Sequence, residues 1–339
     1  MQIGVLGAGA IGGYLGLCLS AAEGAVTLVG RRSLVEQRER LHAVTLEGRE
    51  HRPGEPLVVT EDPSVLSDMD VVLVTVKSQA TTEAAQTIAK HAKPGATVVS
   101  FQNGLGNAVT LRETLGDRVV AGMVAFNVFR EDEGARFRQA TRGALVAGLG
   151  TGPHVQTMKS LAASFAPLGP ALSLREDIDD VLAGKLLLNL NNGICAVTGL
   201  PIAQSLMSPD ARWCLSRCML EGLAAVRAAG YKPRSVLGLP PWIIARLVRL
   251  PNAILLRIAK RMVSADPSAR SSTLQDLDAG KPTEIDELNG AIVALSRSHQ
   301  LPCPANSTVV EIVRQLEAST PPLPFVEPAQ LRARIAARS

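Results

Sequence analysis

Short, nearly uninterrupted apolar runs alternate with segments of helical period through the first half of the chain. Strands are predicted at Gln2–Leu6, Ala25–Val29, Val71–Val76, Thr97–Phe101, Val119–Phe126 and Ala144–Leu149, and helices at Ala10–Ala22, Thr82–His91 and Asn107–Leu115. Strands alternating with helices imply parallel βαβ units with helices on both sheet faces. The run Val-Val-Leu-Val-Thr-Val at 71–76 is almost wholly apolar, as a strand covered on both faces would be. Two stretches break the pattern. Residues 42–60 read as a hairpin-like excursion with turns at Gly48 and Pro53-Gly54, and the polar, Arg-rich 127–143 as a loop or hairpin.

After Ala171–Leu174 the period becomes helical almost to the end. Helices are predicted at Ile178–Asn192, Arg212–Ala229, Trp242–Arg249, Ala253–Met262, Thr283–Gln300 and Ser307–Ala318. The expected fold class is α/β, a doubly wound N-terminal sheet followed by an all-helical domain, with residues 1–175 and 176–339 as the two domains. The tail from Pro321 holds several prolines and then a short Arg-rich helix, expected at the surface.

Composition narrows the function classes. The chain has 339 residues, 46% hydrophobic and 19% charged, which suits folded domains and not a disordered chain. Its formal net charge of +4 is small, and with 3% aromatics no stacking platform interleaves the basic residues. Nucleic acid is therefore not an expected partner, whereas a small anion is. The five cysteines, Cys18, Cys195, Cys214, Cys218 and Cys303, are scattered and odd in number, so reduced thiols are expected. Cys214 and Cys218 could share a helix face, but nothing beside them has zinc spacing, and no metal is expected. The first strand begins at Gln2 with no basic segment or cleavage site, so a cytoplasmic protein without a secretory signal is expected. Trp242 to Met262 is the most membrane-like stretch. Arg246, Arg249, Pro251, Arg257, Lys260 and Arg261 interrupt it, which favours a helix pair against the core or a subunit interface, such as that of a homodimer, over a membrane partner.

Gly7-Ala8-Gly9-Ala10-Ile11-Gly12 is a G-x-G-x-x-G turn between a predicted strand and a predicted helix. Gly7 permits the tight turn, Gly9 the approach of a pyrophosphate, and Gly12 close helix–strand packing. Ala10 and Ile11 open the helix, whose unpaired N–H groups face the phosphates. Opening a βαβ unit, the motif predicts a Rossmann-type dinucleotide domain. An NAD enzyme usually carries an acidic residue at the end of the second strand, ~20 residues past the glycines. Here Gly30-Arg31-Arg32 offers two guanidiniums and no carboxylate, which favours a 2′-phosphate and therefore NADPH.

Reduction of a carbonyl by a nicotinamide also needs a proton donor and polar groups that orient the substrate. Asn103, in Gln102-Asn103-Gly104, follows a strand at its ligand-facing end and could bond a nicotinamide carboxamide or a substrate hydroxyl; it reads equally as a turn residue. Lys77 leaves its strand in the same way and could approach the cofactor or be a solvated lysine. Lys185, Asn189 and Asn192 fall at i, i+4, i+7 on a strongly apolar helix, one polar stripe that suggests a lined cleft, with Lys185 able to protonate a substrate oxygen. An ordinary solvated helix face is the alternative. Ser272 and Gln275 have capping-box spacing, and a serine at a helix start can meet a carboxylate. Glu284, in Pro282-Thr283-Glu284-Ile285-Asp286, reads as the first turn of another helix, where an acid is stabilising for dipole reasons alone.

Together the Gly-rich start, Asn103 in Gln-Asn-Gly, Lys185 with Asn189, Ala269-Arg-Ser-Ser-Thr-Leu-Gln-Asp276 and Thr283-Glu-Ile-Asp-Glu-Leu-Asn-Gly290 resemble the ketopantoate reductase family over residues 1–318. The resemblance implies a Rossmann domain, a helical domain and a cleft between them, where NADPH reduces 2-dehydropantoate to pantoate on the route to coenzyme A. It implies Lys185 as general acid, with Glu284 near the reacting centre or setting the lysine's charge. Asn103 and Asn189 would orient substrate, Ser272 would meet its carboxylate, and Arg31 and Lys77 would contact cofactor. The chain departs from the family pattern at Asn191-Asn192-Gly193-Ile194-Cys195, where many members have a second Asn and a Pro, and at Thr273, where Met is common. Both bear on the substrate pocket. The alternatives are a different 2-oxo acid, an opine-type reductive amination, or a non-catalytic NADPH-sensing protein, for which a proton donor would be superfluous.

Overall fold

In the computed structural model the described residues are 1–338 except 23, 55, 167–169, 236–237, 253 and 255–268. The chain divides into two compact units, Met1–Ile178 and Asp179–Ser339.

In the first unit β1 (Gln2–Leu6), β2 (Ala25–Val29), β5 (Leu57–Thr60), β6 (Val71–Val74), β7 (Thr97–Ser100) and β8 (Val119–Val124) run parallel. Their spatial order is β5-β2-β1-β6-β7-β8, the 3-2-1-4-5-6 order of a dinucleotide-binding sheet. β6, β7 and β8 are buried along their whole length, which is why their sequences lack alternation. β11 (Leu145–Gly148) joins β8 antiparallel, and β12 (Leu172–Arg175) closes that edge beside β11. Helices α1 (Ala10–Ala21), α3 (Thr81–His91) and α4 (Gly106–Leu115) fall where the periodicity puts them, and the short α2 (Arg32–Val35) follows β2. α5 (His154–Phe165) had no place in the sequence reading; its apolar Met158, Leu161 and Phe165 are spaced as one buried face.

Both pattern-breaking stretches contribute to a second sheet, of order β4-β3-β10-β9. β3 (His42–Val44) and β4 (Glu50–His51) come from the first, and the hairpin β9 (Val128–Glu131) and β10 (Arg136–Gln139) is the second. α1 lies between the two sheets. A Cβ at Gly13 would overlap the Phe137 ring of β10, and one at Gly16 would overlap Leu28 of β2. Glycine at both positions therefore brings two layers into contact with one helix.

Among its described residues the second unit has no strand and is built from the helices α6 (Ile178–Thr198), α7 (Ile202–Met207), α8 (Pro209–Ala228), α9 (Pro241–Leu247), α10 (Ser272–Asp278), α11 (Asn289–Ser298), α12 (Pro304–Glu317) and α13 (Pro328–Ala336). α8 is central and packs α7, α9, α11, α12 and α13. Gly222 of α8 admits Leu187 and Leu190 of α6 and Ile292 of α11. Buried Arg212 of α8 donates to the carbonyls of Val248, Leu206 and Leu250 at 2.7–3.1 Å. Glu221 receives the Ala305 and Asn306 amides at 2.9 and 3.0 Å, anchoring the start of α12.

Two expectations change. The helix expected from Thr283 starts only at Asn289, because residues 283–288 form turns held by the Thr283 hydroxyl and the Glu317 carboxylate. The tail helix α13 is not merely superficial, since Leu331 and Ile335 are fully buried. The described helix long and apolar enough to cross a membrane is α6, and 72% of its most apolar window is buried within the protein. The helix expected at Ala253–Met262 lies, apart from Ile254, outside the described residues. All five cysteines are free thiols.

Candidate functional site

The Gly-rich turn is held by backbone. Gly7, at φ 96°, and Ala8 donate to the Val29 carbonyl of β2 at 3.1 and 3.2 Å, and Gly9 donates to the Gly7 carbonyl at 2.6 Å. Thr75 fastens the turn from below, its hydroxyl donating to the Gly7 carbonyl at 2.8 Å. Sequence reasoning passed over Thr75, although it is the single polar residue in the run 71–76. A Cβ on Gly12 would overlap Thr75 and the Gly7 carbonyl, so this glycine sets the helix–strand spacing. A Cβ on Gly9 would meet nothing nearer than the Gly7 carbonyl at 3.9 Å, so that face of the turn is open.

α1 has no side-chain cap and no acid in its first turn, and the Ala10, Ile11 and Gly12 amides find no acceptor among the described residues. Orphan donors and an open backbone cradle fit a pyrophosphate. Past β2, Arg31 and Arg32 are both exposed. Glu36, one turn further on, takes Arg32 in an exposed i,i+4 pair at 3.1 Å. Arg31 has no such pair among the described residues.

At the ends of β6 and β7 the loops bearing Lys77 and Asn103 are tied together by a buried polar network. Gln102 Nε2 donates to the Val76 carbonyl at 3.1 Å and to Thr81 Oγ1 at 2.7 Å, and Ser100 Oγ donates to Gln102 Oε1 at 3.0 Å. Thr81 Oγ1 donates to Asn107 Oδ1 at 2.7 Å, while Asn107 Nδ2 donates to Ser78 Oγ at 2.9 Å and to the Asn103 carbonyl. Lys77 is exposed and precedes a 3₁₀ turn, Ser78–Ala80; Asn103 is half-buried before Gly104, whose φ is 86°. The network fixes the backbone that carries both side chains. Its bonded pairs lie two to twenty-nine residues apart, and the long-range ones carry no signal in local spacing.

In the second unit Lys185, Asn189 and Asn192 lie on the single helix α6 and are each half-buried. Gly184 lets residue 234 cross close over α6, its carbonyl occupying the space of a Cβ, beside Lys185. Burial lowers the Lys185 ammonium to about 8, and the Glu284 charge acts in the opposite direction. The two residues are thus brought within electrostatic reach, with Glu284 on a turn and not in the helix start that the sequence suggested. Burial, and then the charges of Glu284 and Asp286, push the Glu287 carboxyl up. Ser271, not Ser272, caps α10, its hydroxyl accepting the Leu274 amide at 3.3 Å. Ser272 is exposed and accepts Asn192 Nδ2 at 3.3 Å, so Asn192 and Ser272 form one polar patch.

A family model described as ketopantoate reductase PanE/ApbA matches residues 3–152, and its C-terminal counterpart matches residues 177–317. The 2-dehydropantoate 2-reductase of Halobacterium salinarum is 31% identical over 320 residues, covering 93% of this chain and 98% of the relative. The crystal structure of a PanE/ApbA family ketopantoate reductase from Ralstonia eutropha JMP134 is 32% identical, with a TM-score of 0.78 over 94% of this chain and 99% of that one. A ternary structure of D-mandelate dehydrogenase with NADH and anilino(oxo)acetate has a TM-score of 0.77 at 18% identity over 94% of this chain and 99% of that one, a likeness of fold.

Proposed function

The chain belongs to the ketopantoate reductase PanE/ApbA family of oxidoreductases, and from that premise we propose that it uses NADPH to reduce a 2-oxo acid to the 2-hydroxy acid, with 2-dehydropantoate as the substrate to test first. The dinucleotide, when bound, supplies the hydride. The open Gly9 face and the first amides of α1 take its pyrophosphate, and Arg31 takes the 2′-phosphate. Asn103, held by the Gln102–Asn107 network, orients the carboxamide or the substrate, and Lys77 supports the cofactor. Lys185 gives its proton to the carbonyl oxygen and is reprotonated from solvent. Glu284 favours the charged lysine. Asn189 and Ser272 position the substrate, Ser272 at its carboxylate.

The observation that carries this proposal is Lys185, an amine lowered to about 8 on an apolar helix and opposed by Glu284. An ordinary solvated lysine would hold its proton too firmly to act as an efficient acid near neutrality. The departure at Asn191–Cys195 favours a second reading, the same chemistry on another 2-oxo acid.

NADPH consumption measured against a panel of 2-oxo acids tests both. Highest kcat/KM on 2-dehydropantoate supports the first, and a higher value on another acid supports the second. No consumption with any 2-oxo acid overturns the reductase proposal. Lys185→Ala is expected to cut kcat by ~10²–10⁴-fold while leaving NADPH affinity near normal.

A further inference from the structure

Arg130, on the β9–β10 hairpin, has no counterpart in the sequence reading. It lies directly across from Phe137 in the antiparallel register, and its guanidinium covers that ring at 5.2 Å from the centroid. Phe137 is fully buried and touches α1 at Gly13, one residue past the Gly-rich motif. Arg130 Nη2 also donates to the Gly134 carbonyl at 3.0 Å, so the group is gripped on a face and an edge. The rest of the hairpin's charge is otherwise engaged. Glu131 takes Arg136 at 3.2 Å and Arg138 at 2.6 Å, and Asp132 and Glu133 take Arg40 at 2.9 and 3.3 Å. Arg130 therefore has no carboxylate among the described residues.

The turn that arranges this is strained. Asp132 and Glu133 adopt φ of 51° and 54°, a region that non-glycine residues seldom enter, followed by Gly134 at 95°. Such strain persists only where surrounding contacts over-determine it, and it clusters at ligand clamps. Arg40 supplies one such contact, and the His42 amide, donating to the Ala135 carbonyl at 3.1 Å, supplies another. Both residues follow shortly after Arg31, so the hairpin is bound to the segment leaving β2. Desolvation, and then the charge of Arg31, hold the Arg130 guanidinium below its ordinary range. The bonds from Arg40 and His42 set the hairpin that carries Arg130 against the segment that begins at Arg31, and two guanidiniums on these joined segments, neither neutralised by a described carboxylate, suit an anion.

We propose that Arg130 and Arg31 together clamp the 2′-phosphate of the dinucleotide, with Arg130 as a specificity residue delivered by the second sheet. The inference rests on the NADPH preference proposed above. It places the discriminating group partly outside the βαβ unit, on a hairpin some hundred residues later in the chain.

Isothermal titration with 2′,5′-ADP and with 5′-ADP separates the possibilities without turnover. Arg130→Met keeps hydrocarbon over the Phe137 ring and removes the charge, and circular dichroism and thermal melting check its fold. The expected result is a tenfold or greater loss of affinity for 2′,5′-ADP, 5′-ADP binding within twofold of wild type, and partial recovery in Arg130→Lys. The preference for 2′,5′-ADP should also decline with added salt. If the wild type binds both ligands equally, the NADPH reading fails and this inference with it. If the wild type prefers 2′,5′-ADP, Arg31→Ala abolishes the preference and Arg130→Met retains all of it, the inference about Arg130 alone is overturned.

Discussion

A lysine can serve as an acid near neutral pH only if its surroundings loosen the proton without removing it. Burial loosens it at Lys185 and Glu284 opposes the loss, leaving a value of about 8. The acid form is the ammonium, so kcat/KM for reduction should be level below that pH and fall as the pH rises through about 8. Removing the Glu284 charge leaves burial unopposed and lowers the lysine further. The pH profile of Glu284→Gln should therefore show its basic limb displaced to lower pH; an unmoved limb would separate Glu284 from the lysine's charge state. Gly9 offers a second test at one residue. Space for a Cβ exists there, so Gly9→Ala should melt close to the wild-type temperature yet bind NADPH at least tenfold more weakly. Gly12→Ala, which must displace Thr75 or the Gly7 carbonyl, should lose ~1–3 kcal/mol of stability as well, measurable by denaturant titration.

Elements here are held by polar anchors as much as by apolar faces. Glu221 takes two amides at the start of α12 and Asn306 Nδ2 at 2.8 Å, all buried. Glu221→Ala leaves the Ala305 and Asn306 amides without an acceptor and should cost ~1–3 kcal/mol in a denaturation experiment, whereas Glu221→Gln, which keeps one acceptor oxygen, should cost less. The sequence made such elements legible where the chemistry is local. The strands at 71–76, 97–101 and 119–126 are largely apolar because helices cover both faces, and the Gly-rich turn carries its own geometry. It was silent where partners are distant: β3 and β10 join across some ninety residues, and Gln102, Thr81 and Asn107 meet only after folding. At Ser271-Ser272 two adjacent hydroxyls could each cap a helix, and the packed Leu274 and Leu277 settle the register that local spacing left open. Similarly, Lys185 with Asn189 was visible as a stripe, but the nearness of Glu284 depends on a turn that the helical period of 283–300 concealed.

For the molecule as a whole, the proposed ligand should report itself as stability. A ligand that binds only the folded state stabilises it by ~2.7 kcal/mol at a concentration one hundred times its Kd. At equal millimolar concentrations NADPH should raise the melting temperature more than NADH, and Gly9→Ala should suppress the rise. Equal shifts with the two dinucleotides would count against the 2′-phosphate as a determinant. The position of α1 between two sheets has a wider effect. Thr75 crowds it at Gly12, Phe137 at Gly13 and Leu28 at Gly16, three neighbours drawn from the loop just past β6, from β10 and from β2. Transplanting the phosphate-binding turn into another scaffold would thus mean carrying over a hairpin, one strand interior and the exit of another strand, and a deep mutational scan should find this helix almost barren of tolerated variants, even at positions no ligand ever reaches.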